Sequence, residues 1–179
     1  MKIVISGSAG IGKTTLAKKI SSIMGYTYIP DQMDVVLRKN GFSSPKELNN
    51  KESVILRLRA LKLKIDKESK EENFVSDKGV IDYYAYWLIW CFKNATDVQN
   101  RTFIRNVRGH LKNYDLVIIP KFGRFKIKDN KIRETDINYQ YKIHSLIKEL
   151  YHNFKIKIKE YDFNLTTPGS KIVKNLGIR

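Results

Sequence analysis

The chain has few cysteines, few prolines and no long apolar run. Its 179 residues include one cysteine and four prolines. Because the single Cys91 has no partner in the chain, the sequence excludes a disulfide framework and a thiolate metal site, and we expect a reducing, cytoplasmic location. The most apolar stretch, Val80 to Phe92, is shorter than the roughly 20 residues that cross a bilayer. We therefore expect no membrane contact.

Acidic residues are scarce relative to basic ones. The chain has 34 Lys and Arg against 18 Asp and Glu, a net charge of +16. A basic surface gains affinity for nucleic acid by releasing phosphate counterions, so nucleic acid stays open as a partner. The ordinary alternative is a lysine-rich, solvated surface. We prefer this alternative because the basic residues of 51–67 spread over a wide helical face instead of forming a compact stripe.

A glycine-rich segment near the start of the chain carries the strongest signal. Residues 7–14 read GSAGIGKT, which matches GxxxxGKT, and they follow the apolar run 2–6. The apolar spacing after Gly12 predicts a helix that ends at Gly25. This order of strand, loop and helix cradles a triphosphate with backbone N–H groups, with Lys13 against the phosphates and Thr14 on Mg²⁺. The candidate nucleotide-binding residues are Gly7, Ser8, Ala9, Gly10, Ile11, Gly12, Lys13, Thr14 and Thr15.

Strand and helix patterns alternate along the rest of the chain. Further strands are predicted over 26–30, 74–77, 115–120 and 154–161, with a helix that Ser44-Pro45 opens and a helix over 139–151. Such alternation favours a parallel sheet of about five strands covered by helices on both faces, a three-layer α/β/α P-loop NTPase fold. The length fits one domain over 1–179, with a basic loop of about 121–136 as a lid.

Missing motifs narrow the class of P-loop protein. A GTPase would carry NKxD to bind guanine, and the nearest string, residues 130–133 (NKIR), lacks the aspartate. A motor ATPase should end an apolar strand in Asp-Glu, yet the best apolar strand ends in Pro120. A small kinase remains, which needs an acceptor-side carboxylate, an acid near Mg²⁺ and cations over the transferred phosphoryl group.

Each of these requirements has a candidate residue. Asp31, or otherwise Asp34, follows the second predicted strand and could act as the base, although either could merely cap a helix. Asp77 ends the third strand and is the predicted second Mg²⁺ ligand. Arg124 and Arg133 lie in the predicted lid, where they could cover the phosphates or be ordinary solvated charges.

Two other groups of residues have weaker interpretations. The aromatic run 83–90 (YYAYWLIW) predicts a buried helix. Core packing with a homodimer surface is our preferred explanation of it, and a wall that stacks a base or ring is the alternative. Asp82 precedes this run, and we interpret it as a residue of the helix start, with a substrate contact as the alternative. The three histidines are scattered in sequence and indicate no metal site.

Several short segments resemble those of small P-loop kinases of the ribosylnicotinamide-kinase-like type, which are grouped with AAA-domain proteins. The segments are 29–31 (IPD), 74–79 (FVSDKG), 81–86 (IDYYAY), 132–136 (IRETD) with Tyr139-Gln140, and 168–170 (PGS). The resemblance implies an acid after the second strand, a lid arginine at Arg133, and an adenine-bordering loop at Gly169. Two positions depart from the family, because Lys78 and Asp34 stand where it commonly has arginine.

The sequence thus predicts an ATP- and Mg²⁺-dependent phosphotransferase that acts on a nucleoside, a nucleotide or a related hydroxyl compound. Lys13, Asp31, Asp77 and Arg133 are the predicted catalytic residues, and Thr14 and Asp77 the predicted metal ligands. A kinase acting on DNA or RNA, and an ATP-binding regulatory module with slow hydrolysis, are the alternatives.

Overall fold

The computed structural model of the protein describes residues 1–125 and 136–178. These residues form five β strands and seven α helices. The strands are β1 (Lys2–Ile5), β2 (Thr27–Ile29), β3 (Phe74–Asp77), β4 (Leu116–Pro120) and β5 (Ile158–Tyr161). The helices are α1 (Lys13–Met24), α2 (Gln32–Lys39), α3 (Asn50–Glu68), α4 (Val80–Trp90), α5 (Asp97–Leu111), α6 (Ile137–Asn153) and α7 (Gly169–Leu176).

All five strands are parallel and lie in the order β2-β3-β1-β4-β5. The central β1 pairs with β3 on one side and β4 on the other, so the chain leaves β1 in one direction and later crosses to its opposite side. A ligand crevice forms outside the carboxyl ends of the strands at such a switch point. The residues that follow β1, β2 and β3 therefore border the candidate site.

Alternating side chains of β1 divide the core into two layers. Ile3 and Ile5 pack with α1 and α7 on one face, whereas Val4 lies in the larger core on the other face, with residues of α2 to α6. This arrangement confirms the predicted three-layer α/β/α fold and its sheet of five parallel strands. Across residues 1–125 and 136–178, no helix has both the length and the apolar character that a membrane span needs.

The ends of α1 follow from two glycines, as the sequence predicts. Gly12 precedes the helix and Gly25 follows it, and both have left-handed backbone angles, with φ of 85° and 66°. Glycine adopts this conformation without the steric cost that a Cβ brings. The segment between strand and helix is thereby held as a compact loop.

Other element boundaries differ from the prediction. Ser44 caps only a 3₁₀ turn, Pro45–Glu47, and α3 starts later because Asn49 and Glu52 form its capping box. β5 begins at Ile158, and Lys155 has a φ of 56°, which interrupts an extended strand. Helices α2 and α5 were not predicted as separate elements. Residues 126–135 of the predicted lid lie outside the described residues.

Candidate functional site

The glycine-rich loop joins β1 to α1 at the carboxyl edge of the sheet. Gly7, Gly10 and Gly12 all have positive φ angles, of 126°, 79° and 85°. A Cβ at Gly7 would lie 2.5 Å from Ile11 Cδ1, and one at Gly12 would lie 2.8 Å from a Phe125 ring carbon. These two glycines are therefore required by both backbone angle and space, as the phosphate-loop interpretation expects.

Two side chains outside the loop fix its shape. Asp82, fully buried in the first turn of α4, accepts hydrogen bonds from Ser6 Oγ at 2.5 Å, Gly7 N at 2.8 Å and Gly79 N at 2.9 Å. Burial raises the pKa of Asp82. Gln140 on α6 accepts from the Ala9 N–H at 3.0 Å. The sequence analysis assigned neither residue to the loop, since the acceptor groups lie 75 and 131 residues away in the chain.

Lys13 and Ser8 face each other across the loop. Lys13 is buried, and its Nζ donates a hydrogen bond to the Ser8 carbonyl. The Ser8 hydroxyl is buried and has no hydrogen-bond partner among the described residues. A buried lysine ammonium and a buried hydroxyl at the start of a helix fit a site for an anion, because an anion accepts hydrogen bonds from both.

Thr14 connects the loop to the end of β3. Its hydroxyl donates a 2.5 Å hydrogen bond to Asp77 Oδ2, and Tyr28 donates to the same oxygen at 3.4 Å. Burial and the nearby Asp77 raise the pKa of Tyr28, so the phenol stays protonated. A hydroxyl and a carboxylate are hard oxygen donors, which Mg²⁺ combines with phosphate oxygens and water. Thr14 and Asp77 therefore fit the predicted magnesium site.

Asp31 lies at the end of the neighbouring strand β2 and caps α2. Its Oδ1 accepts from Met33 N at 3.0 Å and from the Tyr83 hydroxyl at 2.7 Å. Its Oδ2 lies 2.5 Å from the Lys78 ammonium. Burial alone would raise the pKa of Asp31, but Lys78 and these hydrogen bonds hold it well below the usual range. Asp31 is thus both a helix cap, as the ordinary interpretation expects, and an ionised carboxylate in the crevice.

Lys78 follows Asp77 and occupies the position where the resembling family has arginine. Its backbone is left-handed, with a φ of 67°. Although burial opposes the charge, Asp31 raises the pKa of Lys78 above its usual range. The ammonium also lies 5.3 Å from the centre of the Tyr86 ring. Lys78 is therefore a fixed cation beside Asp31 in the crevice.

A buried lysine on α3 donates hydrogen bonds to the backbone at the ends of β2 and β3. Lys64 Nζ donates to the carbonyl of Asp77 at 3.0 Å and to that of Pro30 at 3.4 Å. It lies 3.5 Å from Glu68 Oε1. Glu68 in turn accepts from the Tyr114 hydroxyl at 2.8 Å. One side chain thus fixes the relative positions of the segments that carry Asp31 and Asp77.

The remaining predicted site residues lie in different surroundings. Asp34 is exposed in the first turn of α2. Arg124 donates from Nε to Asp162 Oδ1 at 2.7 Å, and Arg133 lies outside the described residues. Gly169 packs against α1, where a Cβ would be 2.6 Å from Ile23 Cγ1. Close packing against α1 accounts for a glycine at this position. A contact between Gly169 and a nucleotide stays a prediction.

The aromatic helix α4 combines several roles. Tyr83 holds Asp31, and Trp87 is buried and stacks on Phe103 with ring centres 4.1 Å apart. Trp90 and Phe92 are about half exposed at its end. Core packing accounts for the buried rings, as we preferred, and Tyr83 and Tyr86 also border the crevice.

The histidines do not form a metal site in the part of the chain that the structure describes, where no group of three or more His, Cys, Asp or Glu could hold a metal ion. His110 Nε2 lies 2.6 Å from Glu68 Oε2. His144 is buried beside Gly7, and its Nδ1 has no hydrogen-bond partner among the described residues. Burial, together with Lys148 and Lys13, lowers the pKa of His144 to about 4.

Comparison with known proteins places this geometry in a family. A family model described as an AAA domain matches residues 2–163. The chain belongs to this AAA-domain family. No curated protein sequence matches this AAA-domain protein.

Solved structures of two kinases and of the NadR protein share the fold of this AAA-domain protein. Deoxyadenosine kinase from M. mycoides with bound dCTP is 18% identical with a TM-score of 0.63, and 99% of each chain is covered. Shikimate kinase from Aquifex aeolicus is 17% identical with a TM-score of 0.55, covering 99% of this chain and 95% of the other. The NadR protein in complex with NR is 16% identical with a TM-score of 0.66, and the match covers 90% of this chain but 43% of NadR. The AAA-domain protein thus has the fold of small P-loop kinases, as the sequence predicts.

Proposed function

We propose that this protein is an ATP-dependent phosphotransferase that phosphorylates a small hydroxyl-bearing acceptor. One observation carries the proposal. The Thr14 hydroxyl binds Asp77 at the end of β3, while the ionised Asp31 lies at the end of the adjacent β2. A phosphate loop with its metal-ligand pair therefore adjoins a carboxylate that can receive a hydroxyl group, as phosphoryl transfer requires.

The donor half of the site consists of the loop, Lys13, Thr14 and Asp77. Backbone N–H groups at the start of α1 and the Lys13 ammonium bind phosphate oxygens. Thr14 and Asp77 hold Mg²⁺, which when bound offsets charge on the transferred phosphoryl group. The loop conformation set by Asp82 keeps these groups in place before the nucleotide arrives.

The acceptor half consists of Asp31 with Lys78 and Tyr83. Asp31 orients the acceptor hydroxyl by accepting its hydrogen bond. Because its pKa lies well below the usual range, Asp31 is a weak base and takes the proton late. A loose transition state for phosphoryl transfer tolerates such late proton removal, since positioning of the nucleophile contributes most.

We propose that the basic segment after β4 acts as a lid over the bound nucleotide. Arg124 binds Asp162 in the present arrangement, and we propose that Arg124 and Arg133 cover the phosphates when nucleotide is bound. Closure excludes water and limits hydrolysis. Gly169, at the start of α7, borders the adenine in this proposal.

A phosphate-transfer assay tests the proposed activity. The protein is incubated with γ-³²P-ATP, Mg²⁺ and separate pools of nucleosides, nucleotides, small hydroxyl acids and oligonucleotides with free 5′-hydroxyl ends. We expect labelled product from one small-molecule pool, and loss of that product in Lys13→Met. Label on oligonucleotides alone, with strong salt dependence, would identify a nucleic acid kinase. Phosphate release without any labelled acceptor would support the regulatory module and contradict the proposal.

A further inference from the structure

Arg57, on α3, is a buried cation without a carboxylate partner among the described residues. Only 8% of the surface of Arg57 is exposed to solvent. The Nε atom donates to Ser53 Oγ at 3.2 Å, and the Cys91 sulfur is a second hydrogen-bonding neighbour of the guanidinium. A guanidinium has five N–H donors and keeps its charge in proteins. Most of the hydrogen-bonding capacity of Arg57 is therefore unused.

The described groups in contact with Arg57 supply no negative charge at neutral pH, and the Asp31 carboxylate, which opposes the lowering of the pKa of Arg57 by burial, is paired with Lys78. The guanidinium carbon lies 6.0 Å from the centre of the Tyr86 ring, and burial raises the pKa of Tyr86 to about 12. Cys91, which lies 3.5 Å from Ser53 Oγ, is a buried thiol whose pKa burial also raises. Burial lowers the pKa of Arg57 itself, as expected where a counter-ion does not offset the loss of water.

Two nearby lysines differ from Arg57 because each has a carboxylate partner. Lys78 pairs with Asp31 at 2.5 Å, and Lys64 lies 3.5 Å from Glu68. Lys78 approaches the same Tyr86 ring that Arg57 approaches, at 5.3 Å from its centre. Arg57 and the Lys78–Asp31 pair therefore border one ring, and Asp31 is among the charges that act on Arg57.

Burying an unpaired charge costs several kcal/mol unless a ligand restores the lost interactions. The planar fork of a guanidinium matches a carboxylate or phosphate group with two parallel hydrogen bonds. We propose that the acceptor carries an oxyanion, a phosphate monoester or a carboxylate, that pairs with Arg57 while its hydroxyl lies at Asp31. This inference rests on the proposed function, because Asp31 defines the position of the hydroxyl.

An oxyanion site at Arg57 favours anionic acceptors over neutral and cationic ones. Neutral nucleosides lack a group that can pair with Arg57, and a cationic acceptor would be repelled by both Arg57 and Lys78. A nucleotide or a hydroxy acid supplies the missing charge. A charge-assisted hydrogen bond of this kind is typically worth tenfold or more in affinity.

Calorimetric titration with matched ligand pairs tests the inference. Each pair differs only in the anionic group: a nucleoside against its 3′- or 5′-monophosphate, and shikimate against its methyl ester. AMP-PNP and Mg²⁺ are present throughout, so that the phosphate loop is filled. The variants are Arg57→Gln and Arg57→Lys, with Arg59→Gln as control because Arg59 is an exposed arginine on the same helix.

We expect an anionic ligand to bind at least tenfold more tightly than its neutral partner in the wild type and in Arg59→Gln. The preference should fall below about threefold in Arg57→Gln. If that variant does not fold, Arg57→Lys decides, since it keeps the charge without the planar fork and should lose several-fold. Equal binding of the pair members, an unchanged preference in the Arg57 variants, or no binding of any anionic ligand would overturn the inference.

The two proposals fail in different ways. A preference for the anionic ligands without labelled product in the transfer assay would contradict the kinase activity and leave the oxyanion site supported. Transfer to a neutral acceptor at a rate that Arg57→Gln does not change would contradict the oxyanion site and leave the kinase activity supported.

Discussion

Lys78 reaches Asp31 at 2.5 Å from a backbone conformation that lysine rarely adopts. A left-handed φ costs a residue with a Cβ about 1 kcal/mol or more. The ion pair with Asp31 and the contact with the Tyr86 ring offset that cost. The left-handed backbone at Lys78 therefore places its ammonium in the crevice, and the conformational cost of that backbone reduces the stability that the ion pair contributes.

Substitution of Lys78 separates the backbone cost from the ion pair. Lys78→Gly and Lys78→Ala both remove the ammonium, but only glycine accepts a φ of 67° without strain. We expect the glycine variant to be about 1 kcal/mol more stable than the alanine variant. Urea unfolding of the two proteins measures the difference. Equal stability would mean that the left-handed conformation does not persist at this position.

Asp31 and Asp34 should differ sharply in their effect on phosphate transfer. Asp31→Asn keeps the shape of the side chain but weakens its ability to orient and deprotonate a hydroxyl, so kcat should fall about 10²- to 10⁴-fold. AMP-PNP affinity should stay within about threefold, because Asp31 lies on the acceptor side. Asp34→Asn is the matched control, since Asp34 is exposed on the same helix. A larger kcat loss in the Asp34 variant would reverse the assignment.

The Thr14 hydroxyl should determine the magnesium requirement. Thr14→Val is isosteric but removes the hydroxyl that contacts Asp77 at 2.5 Å, whereas Thr14→Ser retains it. We expect the valine variant to need about tenfold more Mg²⁺ for half-maximal transfer, and the serine variant to resemble the wild type. Titration of activity with Mg²⁺ at saturating ATP gives the answer. Similar curves for valine and serine would exclude Thr14 as a ligand.

The Lys64–Glu68 pair should be important for stability. Both side chains are fully buried, and Lys64 also donates to the carbonyls of Pro30 and Asp77. Lys64→Met removes the ammonium beside Glu68 and the donor to both carbonyls, while Glu68 keeps its contacts with His110 and Tyr114. The free energy of unfolding should therefore fall by about 3 kcal/mol. Lys62→Met, at an exposed position of the same helix, should change it by less than about 0.5 kcal/mol. Denaturant titration of both variants provides the test.

His144 should make the fold sensitive to mild acid. Its pKa is lowered from 6.5 to about 4 in the folded protein, so the unfolded chain binds the proton more readily. Stability is therefore fully present above pH 6.5 and is lost as the pH falls toward 4, by up to about 3 kcal/mol. The wild type should lose more stability than His144→Gln between about pH 7.5 and pH 4.5, as measured by urea unfolding. Parallel losses in the two proteins would show that other groups dominate.

Local signals were sufficient to predict the glycine-rich loop, the helix that follows it and the proximity of Thr14 and Asp77. The GSAGIGKT segment contains the loop, the start of the helix and the residues expected to bind phosphate and Mg²⁺ in one consecutive run. It can therefore be recognised without knowledge of any distant contact. The position of Asp77 could also be predicted, because an acidic residue at the end of an apolar strand lies at the ligand crevice of a parallel α/β sheet. The structure places it beside Thr14 as expected.

The supporting contacts could not be predicted because they join distant parts of the chain. Glu68 and Lys64 lie in a helical pattern whose charges look solvated in sequence, and only the packing of α3 against the sheet buries them. Arg57 was assigned to the polar face of the same helix for that reason. Helix α5 was not predicted, although its buried residues Phe103, Val107 and Leu111 recur at helical spacing.

Two consecutive residues of α4 hold opposite sides of the crevice. Asp82 binds the loop proposed to receive the phosphates, and Tyr83 binds Asp31, where the hydroxyl of the acceptor is expected. A single peptide unit thus links the two proposed substrate positions. A rigid displacement of α4 is therefore expected to move both positions together.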